Sequence, residues 1–358
     1  MAFRLATFGQ LARPIPDFDE SLGDGEPWKD IGLADGKIRQ GGTVMTGVWS
    51  PKQSPSLAGG LIRLARPLQL GIWTGSTVIL GLSAVFRFRP DWLLALVLVA
   101  VGGVALQGYI THGLNDLYDW QSGTDQTTPG RISGGSHVIR DGLLDGRHIG
   151  ITVAVAIAAY LGLLAWMGVW RTPALWPLGV AALIASVFYS VPPLRFCYRP
   201  LAGEWLGIFP AMTAGVLAAG LAVQQALTPV LWVTAVLQGI ICVASVMQHH
   251  LVDIDSDWRA RPPKHTSPAY WQRRVGRPGS EVAIFYLLVA VVVSVAGAIF
   301  VAPRFWWSAG LCIVGVVLAS RTQQGNQDAE TRSDYGLKFL GAVNAIGYVV
   351  IAVAVGWH

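Results

Sequence analysis

Apolar residues in this chain run in continuous blocks of about 16 to 23 residues, not in alternation with polar ones. A helix crosses the hydrocarbon core of a bilayer in about 20 residues, so each block predicts a membrane span. The absence of period-two alternation argues against a transmembrane β-barrel. Nine spans are expected, at 67–86, 92–114, 149–168, 173–191, 202–223, 229–250, 281–301, 305–320 and 338–356. The block at 305–320 is the shortest. Only Ala302–Pro303–Arg304 separates it from the one before, which reads as a tight hairpin. Residues 1–60 break the pattern. They are rich in Gly, Pro, Asp and Lys/Arg, with no apolar run after a basic start, so no cleavable signal peptide is expected. The chain therefore divides into a polar N-terminal extension (1–60) and a membrane domain (61–358).

Composition supports this reading. Only 13% of the 358 residues are charged, 53% are hydrophobic, and mean hydropathy is +0.48. A soluble domain carries about 25% charged residues, so a soluble enzyme and a disordered chain are both excluded. The 15 tryptophans suit a protein with rings at the membrane–water interface. Cys197, Cys242 and Cys312 lie in or beside apolar blocks, form no CxxC pair, and read as small buried hydrophobes.

Charge placement adds orientation. With nine spans, 22 of the 26 Lys and Arg fall on the side of the N-terminus and of loops 115–148, 192–201, 251–280 and 321–338. Only Arg87, Arg89, Arg171 and Arg304 fall opposite. The positive-inside rule places the N-terminus and those loops in the cytoplasm, for a protein integral to a plasma or inner membrane.

Two of the cytoplasmic loops carry acidic clusters at the ends of apolar blocks. One is Asn115–Asp116–Leu117–Tyr118–Asp119 with Asp125; the other is Asp253–Ile254–Asp255–Ser256–Asp257. Asn115/Asp119 and Asp253/Asp257 are i,i+4 pairs, which on a helix share one face. Carboxylates so close to each other and to a bilayer are costly unless something offsets them. A hard divalent cation with oxygen ligands is the natural candidate, and Mg²⁺ commonly adds substrate phosphates to one or two carboxylates. Two clusters suggest two metal sites gripping one polyphosphate. Cationic residues sit nearby: Arg259, Arg261 and Lys264, then Arg273, Arg274 and Arg277, and the segment Gly130–Arg131–Ile132–Ser133–Gly134–Gly135–Ser136. Lys264 and Arg259 are closest to the acids. Such an arrangement binds a diphosphate and stabilises its departure.

His112, His249 and His250 read as polar helix-end residues able to tune these sites. Glu204 is expected to pair with Arg195 or Arg199, and Asn344 to hydrogen-bond between helices.

The paired motifs resemble those of the UbiA superfamily of intramembrane aromatic prenyltransferases. Tyr189–Ser190–Val191–Pro192–Pro193–Leu194–Arg195 with Tyr198–Arg199 is similar to the segment that ends the fourth helix in that family, and Arg66–Pro67 fits the start of the first span. The resemblance covers about 66–358. Ser122–Gly123–Thr124–Asp125 and Arg131…Ser136 look closest to the dihydroxynaphthoate (menaquinone) branch. The second motif runs on as Arg259 to Thr266, where that branch has a shorter GKRT-like sequence.

The resemblance implies an all-α integral membrane bundle around a central cavity, capped by the acidic cytoplasmic loops. It implies two Mg²⁺ ions on Asn115, Asp119, Asp253 and Asp257, with Asp255 completing a shell. A polyprenyl diphosphate would meet Arg66, Tyr118, Arg131, Arg259 and Lys264. Asp116, Asp125, Tyr189 and Arg195 would serve the chemistry or position an aromatic acceptor of the quinone-precursor type. The expected reaction is Mg²⁺-dependent prenyl transfer through an allylic carbocation. The same site without an acceptor would make a membrane terpene cyclase. A lipid-diphosphate or cation transporter fits less well, because the acids lie at helix ends on one side and no inverted repeat is evident. The expected partners are the prenyl diphosphate, the acceptor and the bilayer, with no nucleic acid and no inferable protein partner.

Overall fold

The computed structural model describes residues 56–84, 92–127, 135–224, 226–323 and 325–354. The extension expected over 1–60 lies outside these residues except for its last few, which open the first helix. The helices are α1 (Leu57–Ala65), α2 (67–83), α3 (Leu93–Ser122), α4 (Gly146–Trp170), α5 (Leu175–Ser190), α6 (Gly203–Gln224), α7 (Pro229–Arg259), α8 (267–275), α9 (Ser280–Phe300), α10 (Phe305–Ser320) and α11 (Gln327–Ala354). Among the described residues there is no strand. Six helices (α3, α4, α6, α7, α9 and α11) are long and apolar enough to cross a membrane, and α5 and α10 are shorter apolar helices.

Local chemistry sets the helix starts. Ser56 caps α1 by accepting from the Gly59 N–H at 3.1 Å, and Asp145 caps α4 by accepting from His148 N–H at 2.8 Å. Thr228 accepts from Leu231 N–H at 3.2 Å ahead of α7, whose first residue, Pro229, has no N–H to satisfy. Between α1 and α2 the chain turns at Arg66, which holds a left-handed φ of 53° just before Pro67.

The structure corrects three expected boundaries. The block 92–114 continues as helix to Ser122, and 229–250 continues to Arg259, so both acidic motifs ride on helices that project from the apolar layer. The last span begins at Gln327, not near 338. Asn326 caps it, accepting from Ala329 N–H at 3.1 Å, and Asp328 and Glu330 in the first turn favour the positive end of the helix dipole. The stretch 321–338, expected as a loop, is therefore mostly helix.

Of the six long helices α7 is the most enclosed: 78% of its apolar stretch is buried, against 22% for α4. One apolar core packs α7 against α2, α6, α9, α10 and α11 through Leu80, Leu217, Leu237, Tyr286, Phe305 and Tyr348. A second joins α3, α4, α5 and α6 through Ile110, Tyr160, Leu164, Leu175 and Leu221. Gly81 makes the α2–α6 crossing possible, since a β-carbon there would lie 2.3 Å from that of Ala219. Asn344 accepts from Ser308 Oγ at 2.8 Å, the expected interhelical bond. At the far end of the bundle two arginines cover helix-terminal carbonyls. Arg171 Nε donates to Ala222 O at 2.6 Å, and Arg304 Nη1 to Ser83 O at 2.8 Å.

Candidate active site

A cavity of about 340 Å³ lies between the two cores. Its wall includes residues of α3 from Leu98 to Asp119. At 1.5 Å per residue that is roughly 30 Å of helix, about the thickness of the hydrocarbon core. The deep part is apolar, with Leu98, Val99, Leu163, Leu164, Met167, Leu175 and Leu178. The other end carries Arg66, Asn115, Asp119, Asp125, Asp253 and Lys264. Three helices bordering the cavity contain π-helical turns, at Gly71–Gly75, Val104–Thr111 and Gly203–Ile208. Such turns re-aim side chains and recur at functional sites; here they supply Trp73, Thr74, Leu106, Gln107, Thr111, Gly207 and Ile208 to the wall.

Asp119 is the hub of the mouth. It is buried, and its Oδ2 accepts from Asn115 Nδ2 at 2.8 Å and from Lys264 Nζ at 2.7 Å. The Tyr198 hydroxyl donates to its Oδ1 at 3.1 Å. Lys264 Nζ also lies 3.8 Å from Asp257 Oδ1, so one buried ammonium sits between a carboxylate of each motif. Backbone geometry fixes that position, because Lys264 N–H donates to Asp257 O at 2.8 Å and Arg261 N–H to Ser122 O at 2.8 Å. Burial alone would lower the lysine's pKa. The Asp119 and Asp257 carboxylates outweigh it and hold the ammonium well above the usual lysine value. Burial, then the negative charge of Asp119, pushes the Tyr198 hydroxyl well above the ordinary tyrosine value.

Asp116 faces a different set. It pairs with Arg66 and accepts from both the hydroxyl and the backbone N–H of Ser136. Asp125 lies beside it across Gly135, where a β-carbon would come within 2.6 Å of an oxygen of each aspartate. Gly135 also has a φ of 72°, which disfavours any side chain. Burial, reinforced by Asp119 and then Asp116, raises Asp125 to about 8.

The structure thus gathers many of the expected site residues and separates others. Asn115, Asp119, Asp253, Asp125, Tyr189, Arg66 and Lys264 line the cavity. Asp257 is fully buried behind Lys264, with His250 Nδ1 at 3.7 Å. Asp255 points outward at 60% exposure and pairs with Arg273 and Arg259, so neither Asp255 nor Arg259 is on the cavity wall. Arg195 and Tyr118 are also off the wall. The Arg195 guanidinium stands over the rings of Tyr118, at 5.6 Å, and Tyr198, at 5.2 Å. Arg131 lies outside the described residues. Glu204 pairs with neither Arg195 nor Arg199: it is buried at the start of α6, while Arg199 donates to Pro193 O. Lys338 and His249 line the cavity from α11 and α7. Hydropathy counts Lys338 as a loop charge, and only the early start of α11 brings it inside.

The donors suit a hard cation. Both oxygens of fully buried Asp257 lack a hydrogen bond, an arrangement that an ion or its water would relieve. Among the described residues no three His, Cys, Asp or Glu side chains converge into a ready-made cage.

The described residues thus form a polytopic helical bundle with a long cavity, apolar at one end and lined by acids, Arg66 and Lys264 at the other. The chain belongs to the UbiA prenyltransferase family, whose family model matches residues 74–343. Its fold is similar to that of a UbiA homologue from Archaeoglobus fulgidus bound to GPP and Mg²⁺ (TM-score 0.62, 14% identity, covering 82% of this chain and 99% of that one). The same homologue bound to DMAPP and Mg²⁺ gives a TM-score of 0.63 at 14% identity, with the same coverage. A UbiA homologue from Aeropyrum pernix gives 0.55 at 17% identity, covering 82% of this chain and 98% of that one. No curated protein matches the sequence.

Proposed function

We propose that the protein transfers a prenyl group from a polyprenyl diphosphate to an aromatic acceptor of the quinone-precursor type, closest to the dihydroxynaphthoate branch. The observation that carries this reading is Lys264, held between Asp119 of the first motif and Asp257 of the second, at the mouth of an apolar cavity. The prenyl tail lies in the cavity and the diphosphate at its mouth, where Lys264 and Arg66 bind its oxygens. Asn115, Asp119, Asp253 and Asp257 would hold two Mg²⁺ ions. When bound, these neutralise the diphosphate as it leaves. Lys264 adds a fixed positive charge that needs no reorganisation as the C–O bond breaks. The apolar walls keep water from the allylic cation, and the Tyr189 ring offers it a π face. Asp116 positions Arg66, and Asp125 faces the cavity where an acceptor would be oriented. In this reading the bundle crosses the membrane nine times with its mouth toward the cytoplasm.

The test is mass spectrometry of products from membranes given Mg²⁺, prenyl diphosphates of several lengths, and a panel of phenolic acids and naphthoates. Prenylated acceptor is the expected product. A cyclic hydrocarbon formed without acceptor would make the protein a cyclase instead.

A further inference from the structure

One turn deeper than Asp253, the wall carries a second buried charged cluster that the diphosphate site does not use. Lys338 of α11 donates to Asp334 Oδ2 at 2.6 Å and lies 3.3 Å from His249 Nδ1. Asp334 Oδ2 is itself 3.4 Å from His249 Nδ1. Lys338 and Asp334 are 6% and 1% exposed, so this is not a solvated helix face. Hydrogen bonds of adjoining residues link α7 to α11. Gln248 Nε2 donates to Thr322 Oγ1 at 3.0 Å, and Thr322 Oγ1 donates to Ser333 Oγ at 2.9 Å.

The cluster faces the cavity through Lys338 and His249, both on its wall. An ammonium has three hydrogens. Asp334 and His249 account for two, and the Tyr335 ring stands 5.6 Å from Nζ. Asp334 pairs with the lysine without using all its donors.

An aromatic surface adjoins it. Trp73 lines the same cavity, and its ring lies 3.0 Å from where a β-carbon would stand on Gly341, one turn along α11 from Lys338. The absence of a side chain at Gly341 lets the indole close on the helix face below the lysine.

We propose that Lys338 and Trp73 form the acceptor subsite, with Lys338 taking an anionic oxygen of the aromatic acceptor and Trp73 packing against its ring. This rests on the reading of the protein as an aromatic prenyltransferase and names the residues of this chain that receive its acceptor. Lys264 and Lys338 then divide the labour: one cation for the diphosphate, the other for the acceptor. Asp334 and His249 are positioning residues for Lys338.

The test is binding of 4-hydroxybenzoate, 1,4-dihydroxy-2-naphthoate and their methyl esters to purified full-length protein in nanodiscs. Equilibrium dialysis is run without prenyl diphosphate, so it reads the subsite apart from turnover. Wild type is expected to bind at least one acid tenfold or more tighter than its ester. Lys338→Met should abolish that preference and Lys338→Arg should restore much of it. Because Lys338→Met strands Asp334, the double variant Asp334→Asn/Lys338→Met is run beside it. The KM for prenyl diphosphate on each preparation reports whether the diphosphate end is intact. Equal binding of acid and ester by wild type, or an undiminished preference in both Lys338→Met proteins, overturns the subsite. Neither result touches the transferase reading, which fails only if wild type prenylates no aromatic acceptor.

Discussion

Lys264 Nζ lies 2.7 Å from Asp119 Oδ2, across 145 residues of sequence. This contact joins the end of α3 to the segment that follows α7 and places a cation at the head of an apolar cavity. If the two acidic motifs work as one site, as proposed, losing either side should disable it.

Asp119→Ala and Asp257→Ala are each expected to lower Mg²⁺-dependent prenyl transfer by about a hundredfold or more, the scale seen when one preorganised charge-stabilising group is removed. Both variants should still insert. Product formation per milligram of membrane-extracted protein checks this, and full activity in both would rule out a paired metal–diphosphate site.

Lys264→Met leaves two buried carboxylates without their cation. Removing one partner of a buried pair costs about 3–5 kcal/mol, so in EDTA the variant should unfold well below wild type, and added Mg²⁺ should narrow the gap. The pH dependence has a definite sign. The folded pKa of Lys264 is raised, so its contribution is complete below the unfolded value of about 10.4. It is lost only as pH rises through the still higher folded value. Lys264's own contribution is thus constant between pH 7 and pH 9, but Asp125, raised to about 8 and kept from rising further by the Lys264 charge, titrates in that range, so melting curves in EDTA should show a gap that widens as pH rises.

Gly135→Ala adds one methyl group at a φ of 72°, within 2.6 Å of Asp116 and Asp125 oxygens. The left-handed conformation alone costs roughly 1–2 kcal/mol for a residue with a β-carbon, and the carboxylates must also move apart. Prenyl transfer is expected to fall at least tenfold. An Asp116→Asn control, which weakens the Arg66 pairing without adding bulk, would separate displacement from charge.

Arg171→Met tests the far end of the bundle. It removes hydrogen bonds from a guanidinium to Ala222 O and Val223 O. Hydrogen bonds to charged groups are each worth about 1.5–3 kcal/mol. Thermal unfolding in detergent should report a loss of that size, while the KM for prenyl diphosphate stays put.

Sidedness can be read with thiol reagents, because Cys197, Cys242 and Cys312 are all buried and free. Cysteine introduced at exposed Arg261 should react with an impermeant reagent only in inside-out vesicles, and cysteine at exposed Ala174 only in right-side-out ones. The reverse pattern would invert the topology.

Several features were legible residue by residue in the sequence. Asn115/Asp119 and Asp253/Asp257 stand out because charge is costly near lipid, so the few acids there mark a purpose. Lys264 stands out by its nearness to the second motif, and it does line the cavity. Arg259, chosen on the same ground, instead stays in solvent with Asp255, since nearness along the chain says nothing about the direction of a side chain at a helix end.

The sequence by itself determined the class: continuous apolar runs require helices in a bilayer, and the few acids, clustered beside cations, mark the candidate site. The tertiary structure alone decided which charges meet. It drew Lys264 between Asp119 and Asp257, turned Asp116 to Arg66 and Ser136, and carried Lys338 from an expected loop onto the cavity wall against His249 and Asp334. The reason is physical. Hydropathy is a property of each segment and survives in one dimension, whereas contacts between segments depend on the rotation and depth of each helix, which packing against the others sets.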